Sequence, residues 1–90
     1  MTVERTDQIQ TLLEAAFSPT EILVKDQSHL HAGHAGARDG MGHFEVTIVA
    51  ADFNGRSRIE RHRMIYAALD GLMQTDIHAL RINAFSPTER

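Results

Sequence analysis

The stretch Phe53-Asn54-Gly55-Arg56-Ser57-Arg58-Ile59-Glu60-Arg61-His62-Arg63-Met64-Ile65-Tyr66 decides how this chain folds. It opens on turn chemistry, Asp52-Phe53-Asn54-Gly55, which ends whatever precedes it. Ser57 and Glu60 then stand at capping-box spacing, where the hydroxyl and the carboxylate each satisfy an open backbone donor at a helix start. A helix is predicted from about Arg58 to Met73, with an apolar stripe of Ile59, Ile65, Tyr66, Leu69, Leu72 and Met73. At 3.6 residues per turn His62 falls at the centre of the Ile59–Tyr66–Leu69 stripe. It is therefore read as a packing histidine, and Ser57 and Glu60 as structural caps.

Upstream, His43–Ala50 alternates, with Phe44, Val46 and Ile48 on one face and His43, Glu45 and Thr47 on the other, as in a half-buried strand. Residues 28–42 show no sustained period and hold four of the six glycines, so they read as a long loop. Before it, Glu21–Gln27 has the apolar centre Ile22-Leu23-Val24 and reads as a second strand, antiparallel to the first around the loop. Ile9, Leu12, Leu13, Ala16 and Phe17 follow helical spacing, and Ser18-Pro19 stops that helix because a residue before proline is pushed out of the α region. Downstream, Thr75-Asp76 breaks the long helix and Ile77–Ala84 forms the last strand, ended by Phe85-Ser86-Pro87. The pentapeptide Phe17-Ser18-Pro19-Thr20-Glu21 recurs as Phe85-Ser86-Pro87-Thr88-Glu89. Its flanks do not match, so it marks no repeat architecture. The second copy is in a position to open a short helix.

No low-complexity tract or Pro-rich linker divides the 90 residues, so 1–90 are read as a single domain. The order α-β-β-(short α)-α-β predicts an α+β two-layer sandwich with a three-stranded mixed sheet, the order of the K-homology type II fold. A net charge of −3 is not that of a whole-surface nucleic-acid binder. The chain has no Cys, which excludes a disulfide scaffold, a thiol nucleophile and an iron–sulfur cluster ligated by cysteines of this chain alone. The polar start and the lack of a long apolar run predict no signal peptide and no membrane span, with the cytoplasm as the expected compartment.

Of six histidines, His29, His31, His34 and His43 fall within fifteen residues. Imidazole is the commonest neutral metal ligand, yet no HExxH pairing is present, and spacing alone favours a solvated loop. His78, at the start of the last strand, reads from spacing as a hydrogen-bonded strand-end histidine. Arg56, Arg58, Arg61 and Arg63 form the one locally basic stretch, and guanidinium forks suit phosphates. Arg61 and Arg63 fall on opposite flanks of the stripe, so all four cannot form one surface. Gly33-His34-Ala35-Gly36 has the GxxG form of a K-homology loop but lies between strands, so it is discounted. No paired carboxylates, GxSxG elbow or P-loop is present, so the chain is not expected to be an enzyme.

Taken together, the opening stretch resembles the BolA family signature F-x-G-x-S-x-x-x-R-H-R-x-[VI]-Y, and Ile77-His78-Ala79-Leu80 resembles that family's strand motif. Ser28-x-x-His31, followed by glycine-rich residues and His43-Phe44, is similar to its variable loop. The resemblance covers about Ile9 to Thr88. It implies the K-homology type II-like fold. It also implies partnership with a monothiol glutaredoxin and a bridged [2Fe-2S] cluster shared with glutaredoxin and glutathione, whose thiolates complete a site this chain cannot fill. Alone, the chain is expected to hold no cluster. By the same resemblance the cluster ligands fall on His78 and His31, with His29 and His34 as competitors for the loop position. Family members are also regarded as DNA-binding transcriptional regulators of stress response and cell morphology. That function falls on the helix-turn-helix-like region from Asn54 to Leu72, with Arg56, Arg58, Arg61 and Arg63 as phosphate contacts. No membrane partner is implied, and a weak homodimer is compatible with the resemblance. Many members continue past the final strand with a helix and tail, and the resemblance, ending at about Thr88, does not extend to contacts made by such a tail.

Overall fold

The chain is described from a computed structural model over residues 5–27 and 42–89. Helix α1 (Arg5–Phe17) leads to β1 (Glu21–Asp26). Strand β2 (Gly42–Val49) is followed by a 3₁₀ turn (Ala51–Phe53), helices α2 (Arg58–Ala68) and α3 (Asp70–Thr75), strand β3 (Ile77–Phe85) and a last 3₁₀ turn (Pro87–Glu89). The sheet order is β1-β2-β3, antiparallel between β1 and β2 and parallel between β2 and β3. This is the expected α+β fold with a mixed three-stranded sheet.

The strand alternation holds residue by residue. Phe44, Val46 and Ile48 are buried and join Ile9, Leu13, Phe17, Phe53, Ile65, Leu69, Ile77 and Ile82 in one core, while His43, Glu45 and Thr47 are half-buried on the other face. In α1 only Ile9, Leu13 and Phe17 are buried. Leu12 and Ala16, read as part of that stripe, are exposed because the core meets α1 along a single i, i+4 row.

The turn entering α2 is type II: Asn54 has φ −59° and ψ 129°, Gly55 has φ 71°, and the Arg56 N–H donates to the Phe53 carbonyl at 3.2 Å. The positive φ at its third position is why glycine follows Asn54. The Ser57 hydroxyl accepts from the Glu60 N–H at 3.2 Å, and Glu60 accepts from the Ser57 N–H at 2.9 Å. The Ser57 backbone donor, and after it the Ser57 side chain, hold the Glu60 carboxyl below the usual carboxylate range.

Two expectations for this helix need correction. The single helix from Arg58 to Met73 is two helices, α2 and α3, divided at Leu69 (φ −105°, ψ 14°). The Leu69 N–H is shared between the Ile65 and Tyr66 carbonyls, and Asp70-Gly71, both weak helix formers, follow at once. The buried stripe is also rotated. Ile65 and Leu69 are buried, but Ile59 is 63% and Tyr66 40% exposed. They lie about 100–120° around the helix from Ile65. His62 is thus half-buried on a flank, not central to the stripe.

The repeated pentapeptide adopts two structures. In the first copy Ser18 takes φ +46°, and the Thr20 N–H and hydroxyl both donate to the Val49 carbonyl, at 2.9 and 3.3 Å, which starts β1. In the second, Ser86 is buried and Glu89 folds back to accept from the Ser86 N–H at 2.6 Å, which closes the 3₁₀ turn.

Candidate functional site at the two ends of β3

The β2–β3 register shifts at the start of β3. Gly42 faces Ile77, but the next residue, His43, faces Ala79, so His78 has no partner in the ladder. The cause is a clash of parity. Leu80, Ile82 and Ala84 line the core side, and strict alternation back from them would turn His78 inward and Ile77 outward. The extra residue lets Ile77 enter the core, 2% exposed, while His78 stays exposed. Bulges commonly re-aim a side chain in this way beside functional sites. The His78 ring lies 5.2 Å, centroid to centroid, from that of His43, tilted by 56°. His43 is half-buried, with its Nε2 shielded from solvent. Further along the same face, Glu45 accepts from Gln27 and Asn83, both at 3.4 Å.

Of the sequence-derived metal ligands, His78 is therefore an exposed imidazole at the sheet end. His29, His31 and His34 lie outside the described residues, as does the Gly33–Gly36 motif. The residue beside His78 is His43, to which neither spacing nor the family resemblance gives a role. A signal for the pairing was present: the apolar parity changes between Ile77 and Leu80, as a bulge requires.

At the far end of β3 lies a groove of about 290 Å³, lined by Arg56, Arg58, Arg61, His62, Ile82, Asn83, Ala84, Phe85 and Glu89. Arg61 is its fixed centre, with a side chain only 12% exposed. Its Nε donates to the Arg56 carbonyl and its Nη1 to the Ala84 carbonyl, both at 3.0 Å. Nη1 and Nη2 also donate to the two oxygens of the Glu89 carboxylate, at 2.6 and 3.3 Å. Arg61 and then the Ser86 N–H pull the Glu89 carboxyl down to about 2. Arg56 and Arg58 are exposed at the rim, with Arg56 3.6 Å from Glu60. Arg63 is exposed and does not line the groove. The four arginines thus form no single surface.

Residues 13–89 match the family described as BolA-like protein. The chain belongs to the BolA-like family. It is 41% identical over 87 residues to SufE-like protein 1, chloroplastic/mitochondrial, of Arabidopsis thaliana, covering 91% of this chain and 24% of that protein. The chain thus spans about a quarter of that relative's length. To the DNA-binding transcriptional regulator BolA of Escherichia coli (strain K12) it is 36% identical over 83 residues, covering 92% and 76% of the two. The BolA domain of SufE1 from Arabidopsis thaliana superposes with a TM-score of 0.87 at 38% identity over all of both chains. Among the described residues no helix is long and apolar enough to cross a membrane.

Proposed function

We propose that this BolA-like chain is a non-enzymatic adaptor that binds a monothiol glutaredoxin and shares a bridged [2Fe-2S] cluster with it in iron–sulfur trafficking or iron sensing. The observation that carries this reading is the bulge at His78, which holds an imidazole outside the core at one end of the sheet. The donor set fits such a cluster. The chain has no Cys, so any thiolates come from the glutaredoxin and from glutathione, while His78 supplies a neutral nitrogen. An imidazole in place of a thiolate removes negative charge from a cluster and raises its potential. It must also be deprotonated to ligate, which makes the bond labile in acid. His31, with His29 and His34 as competitors, is the proposed source of a loop ligand. The cytoplasm is the proposed compartment, on the polar and mildly acidic composition.

Mixing the chain with cluster-loaded glutaredoxin, with and without glutathione, tests this. Visible absorption and circular dichroism should change on mixing, and His78→Ala should abolish or strongly alter the change. The same spectrum with wild type and His78→Ala would remove His78 from the ligand set.

A second reading, as a DNA-binding regulator, is favoured by the exposure of Arg56, Arg58 and Arg63 around a capped helix start, and by the name of the Escherichia coli relative. It calls for oligonucleotide affinity that falls steeply with salt and drops in Arg58→Ala. Equal weak binding to every sequence would reduce it to non-specific contact.

A further inference from the structure

We propose that His43 and His78 together form a two-imidazole site that binds a divalent transition-metal ion of the zinc class on this chain alone. The site shares His78 with the cluster reading but needs neither a cluster nor a partner.

Two observations carry it. First, the two rings come from adjacent parallel strands, and the bulge that frees His78 from the ladder sets it beside His43. Donors on strands are held more precisely than donors on loops. Second, the spacing fits an ion. With Zn–N bonds of about 2.0–2.1 Å and a tetrahedral angle, two imidazoles on one ion have ring centroids about 5 Å apart. The observed separation is 5.2 Å.

The chemistry sets the ligand class. Two neutral nitrogens suit Zn²⁺, Co²⁺, Ni²⁺ and Cu²⁺, whereas Mg²⁺ and Ca²⁺ demand oxygen. No group of three or more metal-ligating side chains occurs among the described residues, so the pair leaves coordination positions open. Water fills them in the free chain. Since His78 serves both ligands, a bound zinc ion would exclude a cluster from the same imidazole.

The test uses the metal alone. Co²⁺ titrated into the full chain should give the visible bands of a low-coordinate ion at one equivalent, displaced by Zn²⁺ and not by Mg²⁺. His43→Ala and His78→Ala should each weaken Zn²⁺ binding by about tenfold or more, read by competition with a chromogenic chelator. Substituting His29, His31 and His34 together by Ala should leave it unchanged. His43→Asn, with far-ultraviolet circular dichroism on every variant, guards against a folding defect at the half-buried position. Wild-type binding in a folded His43 variant would overturn the proposal, as would loss of binding in the loop triple variant. Failure of the glutaredoxin spectra with intact zinc binding would sink the cluster reading and leave this one. Spectra that change while no zinc binds would do the reverse.

Discussion

At the start of β3, His78 stands exposed on a bulge with its ring against His43. At the end of the same strand, the Ala84 carbonyl is held by Arg61, whose other donors are engaged by Arg56 and Glu89. About 20 Å separates the two places at 3.3 Å per residue. Both look functional by residue type, one as a metal ligand and the other as a phosphate contact. Their surroundings differ. The guanidinium is surrounded by acceptors of its own chain, two of them main-chain carbonyls, so it ties α2, β3 and the last turn together. The imidazole holds no ladder position. Residue type suggests a chemistry, and the state of the hydrogen-bond partners tells whether the side chain is available for it.

The sharpest way to break this contrast is to substitute each residue and measure both properties. His78→Ala should remove the glutaredoxin-dependent spectral change and yet shift urea-denaturation stability by no more than about 0.5 kcal/mol. A large loss of stability would mean that the two ends are alike after all. Arg61→Met should do the opposite. It deletes charge-assisted bonds to two carbonyls and should cost about 1.5–3 kcal/mol in the same assay, with cluster spectra retained. Ser57→Ala sharpens the arginine end further: loss of the cap should cost about 0.5–2 kcal/mol and fray the start of α2, visible as faster amide exchange there. The smallest effect is that of Glu89→Gln. The carboxyl is lowered from 4.5 to about 2 in the folded chain, so its contribution is complete above the unfolded value and lost as pH falls through the folded one. Wild type should therefore lose stability between about pH 4.5 and 2 more steeply than Glu89→Gln. Parallel curves would remove the ion pair from the account.

Much of the fold was legible because it rests on short-range rules. The alternation in His43–Ala50, the capping box at Ser57 and Glu60 and the proline after Ser18 each act over a few residues. The two Phe-Ser-Pro-Thr-Glu copies mark where such rules stop. One becomes a strand entry and the other a 3₁₀ turn, since the first meets the Val49 carbonyl and the second meets Arg61. Those partners lie 29 and 28 residues away in sequence. The rotation that exposes Ile59 and Tyr66 has the same origin, because which side of α2 faces the sheet is set by the packing of Ile65 and Leu69. At the site, His78 was legible from its motif. Its neighbour His43 was not, because their contact depends on parallel pairing and on a register shift.

The bulge has one more consequence. A ladder that runs from Gly42–Ile77 straight to His43–Ala79 needs nothing between Ile77 and Ala79, so the sheet carries one residue beyond its own requirement, and that residue is His78. Excising it by a one-codon deletion should leave a regular ladder and an intact fold, whereas deleting Arg81 or Asn83 would turn a core-side residue of the strand outward. The genetic lesion that silences this position is thus separable from those that unfold the protein.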